Sequence, residues 1–578
     1  MDKRFFKRSP QPLAQFILLL GFCLVIYFIN LGQWDLWNPD EPRYAEVSRE
    51  MVQGGDWILM HYNGNVYSDK PPLFFWLIAF SSFLWQGFTS FSIRFPSAFF
   101  GTLTVLLTFL IGKNLDGHRT GFLGGLILTT GVEFTYLSTR ANIDTTLTFF
   151  TTASLFCFFQ WHRNRSSYSA SLAPGKMSFT PQRLSDGIKA VMGSSTGHGN
   201  SKNLLIYGFY VAMGFATLTK GPVGFILPLL ISIVYLMFQK DWKGIKEMRL
   251  LTGMFLFSGI VLCWYLPAIW KGGRTYLDQT LFLHSLNRFS NGWAKGQPIY
   301  YYLYDFPTGF FPWIVFLPSA FVYAYSIKPI EKRRSFFFLT IWFVVIFVFF
   351  SLSKGKRGIY LLPLFPAASL LVGKLLQDFI SSQMDHFRQG WIIFPIYLLL
   401  GVMLVAGGVL PWLVSLKFPS FMFYSFPLAF LLVGGSLVMF LSYRFKKVGV
   451  MFLLLFGILA AMYFYTGRAI FPLINEHKSA RFISKEVSSR IQPGEKLAVY
   501  GRLSPAPYNF YTGVVPISNL ISPKSFFHFL NYSERVFCLI TFDELKQIQA
   551  LGEAREIHMI ARHSVGENDV VLVSNRLE

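Results

Sequence analysis

The fold of this chain is decided by two adjoining stretches near its start, PLAQFILLLGFCLVIYFINL (residues 12–31) and WDLWNPDEPR (residues 34–43). The first is an apolar run of about 20 residues, long enough to cross a hydrocarbon core of about 30 Å as a helix. The second places the acidic pair Asp40 and Glu41 just beyond that span. An acidic pair held at a membrane boundary is a candidate functional site, so this pair indicates chemistry rather than packing.

The rest of the chain has the composition of a protein that crosses the membrane many times. Of its 578 residues, 53% are hydrophobic and 14% are charged, whereas soluble domains carry about 25% charged residues. The first run is too long for the core of a signal peptide and lacks a small-residue cleavage site, so we expect a retained anchor. Apolar runs recur, and about thirteen of them are predicted to be transmembrane helices. They lie near residues 12–32, 92–112, 120–139, 145–161, 204–219, 222–239, 250–270, 312–327, 335–353, 359–377, 391–415, 423–442 and 448–467.

The distribution of charge predicts the orientation of these spans. Lys and Arg collect in the cytoplasmic loops of membrane proteins, so we place the basic N-terminus inside. The loops 113–119, 240–249, 328–334 and 444–447 then also face the cytoplasm, and they are net basic. This explains the net charge of +22 without nucleic acid as a partner, and it leaves the C-terminus outside. The apolar segment 74–85 is too short to span and is interpreted as an interfacial helix.

Two regions depart from the membrane pattern. The insert 162–203 is rich in Ser, Gly and basic residues and is predicted to be a flexible cytoplasmic loop. The sequence predicts a transmembrane domain over 1–474, with a first outer loop at 33–91, and a small outer α/β domain over 475–578. The predicted elements of the outer domain are helices near Ser479–Ile491 and Phe542–Ala550 and strands at Lys496–Tyr500, Val536–Ile540 and Val570–Val573.

Several basic residues fall in the predicted outer loops, against the trend of positive charge inside. A cation that defies this trend at a membrane boundary is a candidate functional residue. One Lys at a helix end commonly only extends towards the headgroups, but a set of cations on one face can bind phosphate through charge-assisted hydrogen bonds. The sequence therefore predicts an outward cavity for an anionic, lipid-linked substrate. Its candidate residues are the cations Lys70, Arg140, Lys220, Arg288, Lys354 and Lys356, with the carboxylates Asp40, Asp69 and Asp144.

The chemistry of Asp40 is left open by the sequence alone. As a general base it would take a proton from an acceptor hydroxyl, and as a fixed charge it would stabilise an oxocarbenium-like transition state. The alternative is structural, with Asp40 capping a helix that starts at Glu41. His284, one helical turn before Arg288, and Asp69 are a candidate pair of ligands for a divalent cation, although two ligands do not define a site.

The ordered motifs of the membrane part resemble a known family. They are Asp40-Glu-Pro-Arg-Tyr-Ala-Glu46, Tyr67-Ser-Asp-Lys-Pro-Pro-Leu73, Arg94-Phe-Pro-Ser97, Arg140-Ala-Asn-Ile-Asp144, Leu218-Thr-Lys-Gly-Pro222 and Ser351-Leu-Ser-Lys-Gly-Lys356 with Tyr360. The set is similar to bacterial aminoarabinose lipid A transferases, within the wider dolichyl-phosphate-mannose protein mannosyltransferase family. The resemblance implies a C-type glycosyltransferase fold. It also implies transfer of a sugar, with inversion, from a polyprenyl phosphate to a lipid A-type acceptor on the outer side of the bacterial inner membrane.

The resemblance also implies roles for individual residues. Asp40 matches the catalytic Asp of the first outer loop. Asp69 stands where these enzymes usually have Glu, at a position associated with a metal, and His284 precedes Arg288 by four residues instead of three. These departures weaken an implied divalent metal cofactor at Asp69 and His284. The predicted substrate-binding residues are Glu41, Arg43, Tyr67, Lys70, Arg140, Asp144, Lys220, Arg288, Lys354, Lys356 and Tyr360.

Three other functions compete with lipid A modification. One is protein O-mannosyltransferase-like activity on secreted proteins, which would require Asp40 as a base for a hydroxyl acceptor. A second is a lipid-linked sugar flippase or transporter, but transporters often carry internal repeats and we find none in the sequence. The third is an accessory subunit that has kept the fold without the activity. The expected partners are a polyprenyl-phosphate-linked sugar donor, lipid A or another envelope acceptor, and membrane lipids.

Overall fold

The structure is a computed structural model that is mostly helical. It describes residues 11–171, 197–280, 296–327, 330–384, 387–551 and 557–577. The helices of the membrane part are α1 (Pro12–Tyr27), α2 (Asp40–Gly54), α3 (Leu73–Leu84), α4 (Ser90–Leu115), α5 (His118–Thr130), α6 (Val132–Ser138), α7 (Ile143–Ser171), α8 (Gly197–Lys220), α9 (Val223–Phe238), α10 (Trp242–Glu247), α11 (Leu250–Asp278), α12 (Tyr301–Gly309), α13 (Leu317–Ser326), α14 (Ile330–Leu352), α15 (Phe365–Ile380), α16 (Gly390–Lys417), α17 (Met422–Arg444) and α18 (Val448–Tyr465).

Each of the thirteen predicted spans coincides with a helix or with a pair of helices, which confirms the helical membrane fold. Within the described residues, six helices are long and apolar enough to cross a membrane, or seven if the bent pair of α12 with 313–326 counts as one. The difference arises because several spans are short or broken. For example, α1 has only 16 residues, and Gly131 has extended backbone between α5 and α6. The number of crossings therefore stays a prediction.

The prediction of a flexible loop over 162–203 is wrong at both ends of this segment. α7 continues to Ser171, and α8 begins at Gly197; the part between them lies outside the described residues. Arg165 explains why the first end is ordered, since its Nε donates to the Glu247 carboxylate at 2.5 Å and its guanidinium pairs with Asp241. These ion pairs join the extension of α7 to α10.

The first outer loop is largely structured. It contains α2, a two-stranded hairpin of β1 (His61–Tyr62) and β2 (Asn65–Val66), and α3. Tyr44 of α2 packs edge-on against Phe74 and Phe75 of α3, with ring centroids 5.7 Å apart in both cases. The predicted interfacial helix at 74–85 is thus the 12-residue α3. It buries Phe74 and Phe75 while Phe80 stays exposed.

The C-terminal part forms a five-stranded mixed sheet in the order β4-β3-β5-β7-β6. β3 pairs in parallel with β4 and β5, whereas β7 pairs antiparallel with β5 and β6. The predicted strands are found at β3, β5 and β7, and the sequence missed the short β4 and the half-exposed β6. The elements are β3 (Lys496–Tyr500), β4 (Ser518–Leu520), β5 (Val536–Thr541), β6 (His558–Val565) and β7 (Asn568–Ser574), with helices α19 (Phe471–Lys478), α20 (Arg481–Ser488), α21 (Ala506–Thr512), α22 (Pro523–Leu530) and α23 (Phe542–Gln549).

The C-terminal part docks on the first outer loop through specific polar contacts. Asn475 accepts hydrogen bonds from the backbone N–H of Asp35 and from the Trp37 indole, both at 3.0 Å. Arg49 of α2 donates to the backbone carbonyl groups of Asn509 and Phe510, each at 2.9 Å. Because α2 carries Asp40 at its first residue, the C-terminal part helps to fix the position of that carboxylate.

Candidate active site

A cavity of about 440 Å³ opens at the end of the helices where the first outer loop lies. Its polar lining comes from the first outer loop, from the first residues of α7, from the end of α8 and from the segment after α14. Its apolar wall comes from α9, α11 and α14. Among the described residues, the charged lining side chains are Arg43, Asp69, Lys70, Asp144, Lys220 and Arg357. The cavity therefore brings together residues that are more than 300 positions apart in the sequence.

Asp40 lies at the edge of this cavity between two arginines. Arg43 donates to its Oδ1 at 2.5 Å, and Arg357 donates to its Oδ2 at 3.0 Å. Both arginines line the cavity. The capping alternative for Asp40 is wrong, because α2 begins at Asp40 itself, Pro39 occupies the capping position and no side chain caps the helix. Asp40 is therefore held by ion pairs rather than by backbone amides.

Asp144 and Lys220 form a buried pair in the cavity wall. Lys220 Nζ donates to Asp144 Oδ1, and the ammonium group lies 4.4 Å from the centre of the Tyr360 ring, a favourable cation–π arrangement. Asp144 is only 1% exposed. Its second oxygen, Oδ2, has no hydrogen-bond partner among the described residues. A buried carboxylate oxygen is costly to leave without a donor, so this atom is suited to a donor group on a ligand.

Asp69 and Lys70 lie side by side at the mouth of the cavity. Lys70 Nζ donates to Asp69 Oδ1 at 3.1 Å, and the Tyr67 hydroxyl donates to Asp69 Oδ2 at 3.4 Å. Burial raises the pKa of the Tyr67 hydroxyl well above its usual range, and the Asp69 charge adds to this effect. Tyr67 therefore stays a protonated hydrogen-bond donor. Asp69 is therefore the shared hydrogen-bond partner of Tyr67 and Lys70.

His284 and Arg288 lie outside the described residues. In the part of the chain that the structure does describe, no three His, Cys, Asp or Glu residues cluster as metal ligands. The predicted metal ligands Asp69 and His284 therefore stay a prediction, as does substrate binding by Arg288.

Glu41 faces away from the cavity into a buried cluster of arginines. Arg94 donates to its two oxygens at 2.7 and 3.0 Å, and Arg140 donates to Oε2 at 2.8 Å. Burial alone would raise the pKa of Glu41, but the guanidinium groups of Arg140 and Arg94 outweigh it and lower the pKa to about 2. Neither Glu41 nor Arg140 is among the described residues that line the cavity. In this geometry Glu41 and Arg140 are partners of each other, and substrate binding by them stays a prediction.

The two predicted lysines after α14 also lie beside the cavity rather than in its described lining. Lys354 is exposed, and Lys356 donates to the backbone carbonyl groups of Ser353 and Gln297, the latter at 3.1 Å. The following residue, Arg357, reaches Asp40 and lines the cavity instead. The sequence signal that marked Lys354 and Lys356 as cations in an outer loop applied equally to Arg357.

The wall contributed by α11 was not anticipated from the sequence. Trp264, Tyr265 and Tyr276 line the cavity, and the Tyr265 hydroxyl is hydrogen-bonded to Thr280 Oγ1 at 2.7 Å. In the sequence these aromatic residues are indistinguishable from the lipid-facing aromatic residues of other spans. Their role depends on the packing of α11 against the first outer loop, where the Trp264 indole donates to the carbonyl group of Ile58 at 3.0 Å.

Comparison with known proteins gives three kinds of match. The family model described as dolichyl-phosphate-mannose-protein mannosyltransferase matches residues 13–174. The undecaprenyl phosphate-alpha-4-amino-4-deoxy-L-arabinose arabinosyl transferase 2 of Pseudomonas fluorescens is 30% identical over 438 residues, which are 75% of this chain and 71% of that protein. The corresponding transferase of Pectobacterium atrosepticum is 31% identical, over 63% of this chain and 59% of that protein.

The solved structures give the same answer for the fold. The crystal structure of ArnT from Cupriavidus metallidurans bound to undecaprenyl phosphate aligns with a TM-score of 0.75 at 21% identity, over 97% of this chain and 98% of that one. The same protein in its apo state aligns with a TM-score of 0.74. At this level of identity the likeness shows a shared fold, which includes both the helical membrane part and the C-terminal sheet.

Proposed function

Because this chain belongs to the family of undecaprenyl phosphate-alpha-4-amino-4-deoxy-L-arabinose arabinosyl transferases, we propose that it transfers a sugar from a polyprenyl phosphate donor to a lipid A-type acceptor. The family and its C-type glycosyltransferase fold confirm the resemblance predicted from the motifs. The residues of the cavity determine which sugar is transferred and which acceptor group receives it.

The observation that carries this proposal is the charge of the cavity. Its described lining has four cations, Arg43, Lys70, Lys220 and Arg357, against the carboxylates of Asp69 and Asp144. A glycosyl phosphate diester carries one negative charge, and the polyprenyl phosphate that leaves after transfer carries more. An excess of Lys and Arg therefore favours the leaving group over the bound donor, which is the requirement for catalysis.

The walls of the cavity suit the two other parts of a lipid-linked sugar. Ile226, Val261 and Phe350 offer an apolar surface to a polyprenyl chain. Asp144 Oδ2, buried and without a described hydrogen-bond partner, would accept a hydrogen bond from a hydroxyl or ammonium group of the sugar. An ammonium group would gain more than a hydroxyl, since charge-assisted hydrogen bonds are about twice as strong as neutral ones.

The reaction is a displacement at C1 of the sugar. An acceptor oxygen attacks C1 and forms the new bond, the bond between C1 and the donor phosphate oxygen breaks, and its electron pair leaves with the polyprenyl phosphate. An acceptor phosphate is already ionised and needs no base, so Asp40 then orients the acceptor side and stabilises positive charge that develops on the sugar. An acceptor hydroxyl would instead transfer its proton to Asp40.

We further propose that the protein lies in the bacterial inner membrane with its N-terminus in the cytoplasm, and that the cavity and the C-terminal part lie on the periplasmic side. Support comes from charge, because the loops 240–249 and 444–447 at the end remote from the cavity are basic, as cytoplasmic loops usually are. Labelling of the variants Lys417→Cys and Lys446→Cys by a thiol reagent that does not cross the membrane tests this orientation. The reagent should reach the new thiol of Lys417→Cys from the periplasmic side and should not reach that of Lys446→Cys.

Mass spectrometry of lipid A tests the activity directly. The full chain would be expressed in a bacterial host that lacks its own lipid A glycosyltransferase and that makes the aminoarabinose donor, beside the variants Asp40→Asn and Lys220→Met. The matched control is Lys417→Met, which removes an exposed Lys from the same predicted side without touching the cavity. We expect a sugar increment with the unaltered chain and the control, and a loss of about 100-fold or more with Asp40→Asn and Lys220→Met.

The outcomes separate the competing functions. Equal increments with Asp40→Asn and the unaltered chain would refute the proposed centre. No increment with any variant, although all are present in the membrane, would refute lipid A as acceptor for this donor. A flippase would move labelled donor across vesicles without forming a product bond, and this transport would survive Asp40→Asn.

A further inference from the structure

A second cavity, of about 340 Å³, lies between the ends of α9, α13 and α14 that point away from the proposed active site. Two adjacent arginines of α14, Arg333 and Arg334, form its charged wall. Phe238 at the end of α9 and Tyr325 near the end of α13 form its apolar wall, and their side chains are 68% and 58% exposed. Nothing in the proposed transfer reaction uses this cavity.

The helices fix its distance from the active site. α9 starts at the active-site cavity, which Val223 lines, and ends at Phe238 in the second cavity; its 16 residues span about 24 Å at about 1.5 Å per residue. α14 gives nearly the same result, since the interval from Arg334 to Phe349 corresponds to about 22 Å. Both helices therefore place the arginines about 22 to 24 Å from the proposed active site, which is about three quarters of a hydrocarbon thickness of about 30 Å.

The charge of the second cavity is uncompensated in the described structure. The described residues that line it include no carboxylate. Both arginines are exposed, and the side chain of neither forms a hydrogen bond or an ion pair with any other described residue. Two guanidinium groups at a membrane boundary, with exposed apolar side chains beside them, are complementary to a lipid with an anionic headgroup and apolar acyl chains.

We propose that this cavity binds the phosphate headgroup of an anionic phospholipid from the leaflet opposite the proposed active site. The guanidinium groups of Arg333 and Arg334 take the phosphate, each with two parallel donors, and acyl chains pack on Phe238 and Tyr325. Basic cavities between transmembrane helices are common sites for such headgroups. The donor lipid is excluded as the occupant by position, because its phosphate is used at the other end of the same helices. This site does not depend on the identity of the transferred sugar.

Native mass spectrometry of the purified full chain in detergent tests the proposal. The probes are phosphatidylglycerol and phosphatidylcholine with identical acyl chains, and inorganic phosphate as competitor. The test variant is Arg333→Gln with Arg334→Gln. The matched control is Arg444→Gln with Lys446→Gln, which removes the same charge from another loop at the same end of the bundle.

The unaltered chain and the control should retain phosphatidylglycerol in preference to phosphatidylcholine. The double Gln variant should lose about 30-fold in this preference, which corresponds to about 2 kcal/mol. A variant with Lys at both positions keeps the charge but loses bidentate geometry and should fall between the two. Unchanged preference in the double Gln variant would overturn the proposal, and so would displacement of the lipid by inorganic phosphate at equal concentration. Elution and thermal unfolding like those of the unaltered chain would show that the variants fold.

Discussion

Replacing Glu41 with Gln keeps the shape of the side chain and removes its charge, so the variant isolates the electrostatic part of the buried cluster. The carboxylate accepts hydrogen bonds from Arg94 and Arg140 and from the backbone N–H groups of Trp37 and Ala141. Its side chain is 3% exposed, and solvent screening is therefore small. The pKa falls from the usual 4.5 to about 2. At about 1.4 kcal/mol for each pH unit, this difference contributes about 3 kcal/mol to the free energy of unfolding at pH 7.

The sign of the pH dependence follows from the lowered pKa. Folding favours the ionised carboxylate, so its contribution is complete above the unfolded value of 4.5 and is lost as the pH falls towards 2. Thermal unfolding in detergent, followed by tryptophan fluorescence, should show Glu41→Gln to be about 3 kcal/mol less stable than the unaltered chain at pH 7. Less than half of that difference should remain at pH 3, because at this pH Glu41 is mostly protonated in the unfolded state of the unaltered chain.

An exposed ion pair provides the control for this measurement. Glu486 pairs with Arg490 one helical turn away, and the two side chains are 45% and 38% exposed. Glu486→Gln should cost no more than about 0.5 kcal/mol. If Glu41→Gln destabilises the protein no more than Glu486→Gln does, or if its deficit does not shrink below pH 4, the charge of Glu41 does not stabilise the buried cluster.

Three further predictions concern the site and its support. Arg49→Ala removes two hydrogen bonds of 2.9 Å to backbone carbonyl groups of α21; limited proteolysis should then cut between α19 and α21 sooner than in the unaltered chain, whereas Arg490→Ala should leave the pattern unchanged. Tyr360→Leu removes the ring 4.4 Å from Lys220 and should weaken binding of undecaprenyl phosphate about 5-fold, equivalent to about 1 kcal/mol; unchanged binding would contradict the cation–π contact. Asp144→Asn leaves Lys220 without its carboxylate partner and should raise KM for the donor at least 10-fold. The increase in KM should be smaller for a donor whose sugar has no amino group.

The membrane helices and the sheet strands could be predicted because their signals are local. An apolar run of about 20 residues is sufficient to identify a span, and β3 and β5 consist largely of apolar residues bounded by polar ones. β6 was missed because only its last residue, Val565, is buried, and because the polar residues His558, Arg562 and His563 interrupt any regular alternation of apolar and polar residues. Its stability comes from tertiary contacts, which are the antiparallel pairing with β7 and the contacts of His563 with the Glu476 carbonyl group and the Phe482 ring.

Some residues of the site could be predicted from the sequence, but the ion pairs between them could not. Lys70, Asp144 and Lys220 were identified as outer-face charges, and all three line the cavity. Which cation meets which carboxylate depends on helix packing that the sequence does not display. Glu41 shows the limit most clearly, since it adjoins Asp40 in the sequence. A rotation of about 100° per residue along α2 directs it to Arg94 instead of towards the cavity.

Arg357 shows a second limit. Lys354, Lys356 and Arg357 are equivalent in the sequence as cations that follow α14. The turn that starts at Gly358 decides which of them reaches the cavity, and it selects Arg357. The Tyr302 hydroxyl supports this turn by donating to the carbonyl group of Arg357 at 3.2 Å. Which of the three cations reaches the cavity thus depends on a contact between residues 55 positions apart, and a local sequence pattern does not predict it.

The environment of Asp40 links the binding of the donor to the state of its carboxylate. Arg43 and Arg357 hold the two oxygens of Asp40, and the same two guanidinium groups line the cavity proposed for the donor phosphate. A phosphate that enters the cavity competes with Asp40 for these donors, because both are oxyanions that bind guanidinium. Every hydrogen bond that moves to the phosphate leaves Asp40 less neutralised and better able to orient an acceptor or to stabilise charge at C1. For a donor bound as proposed, we therefore expect that its phosphate would weaken the pairing of Asp40 with Arg43 and Arg357 and so prepare the carboxylate for the reaction.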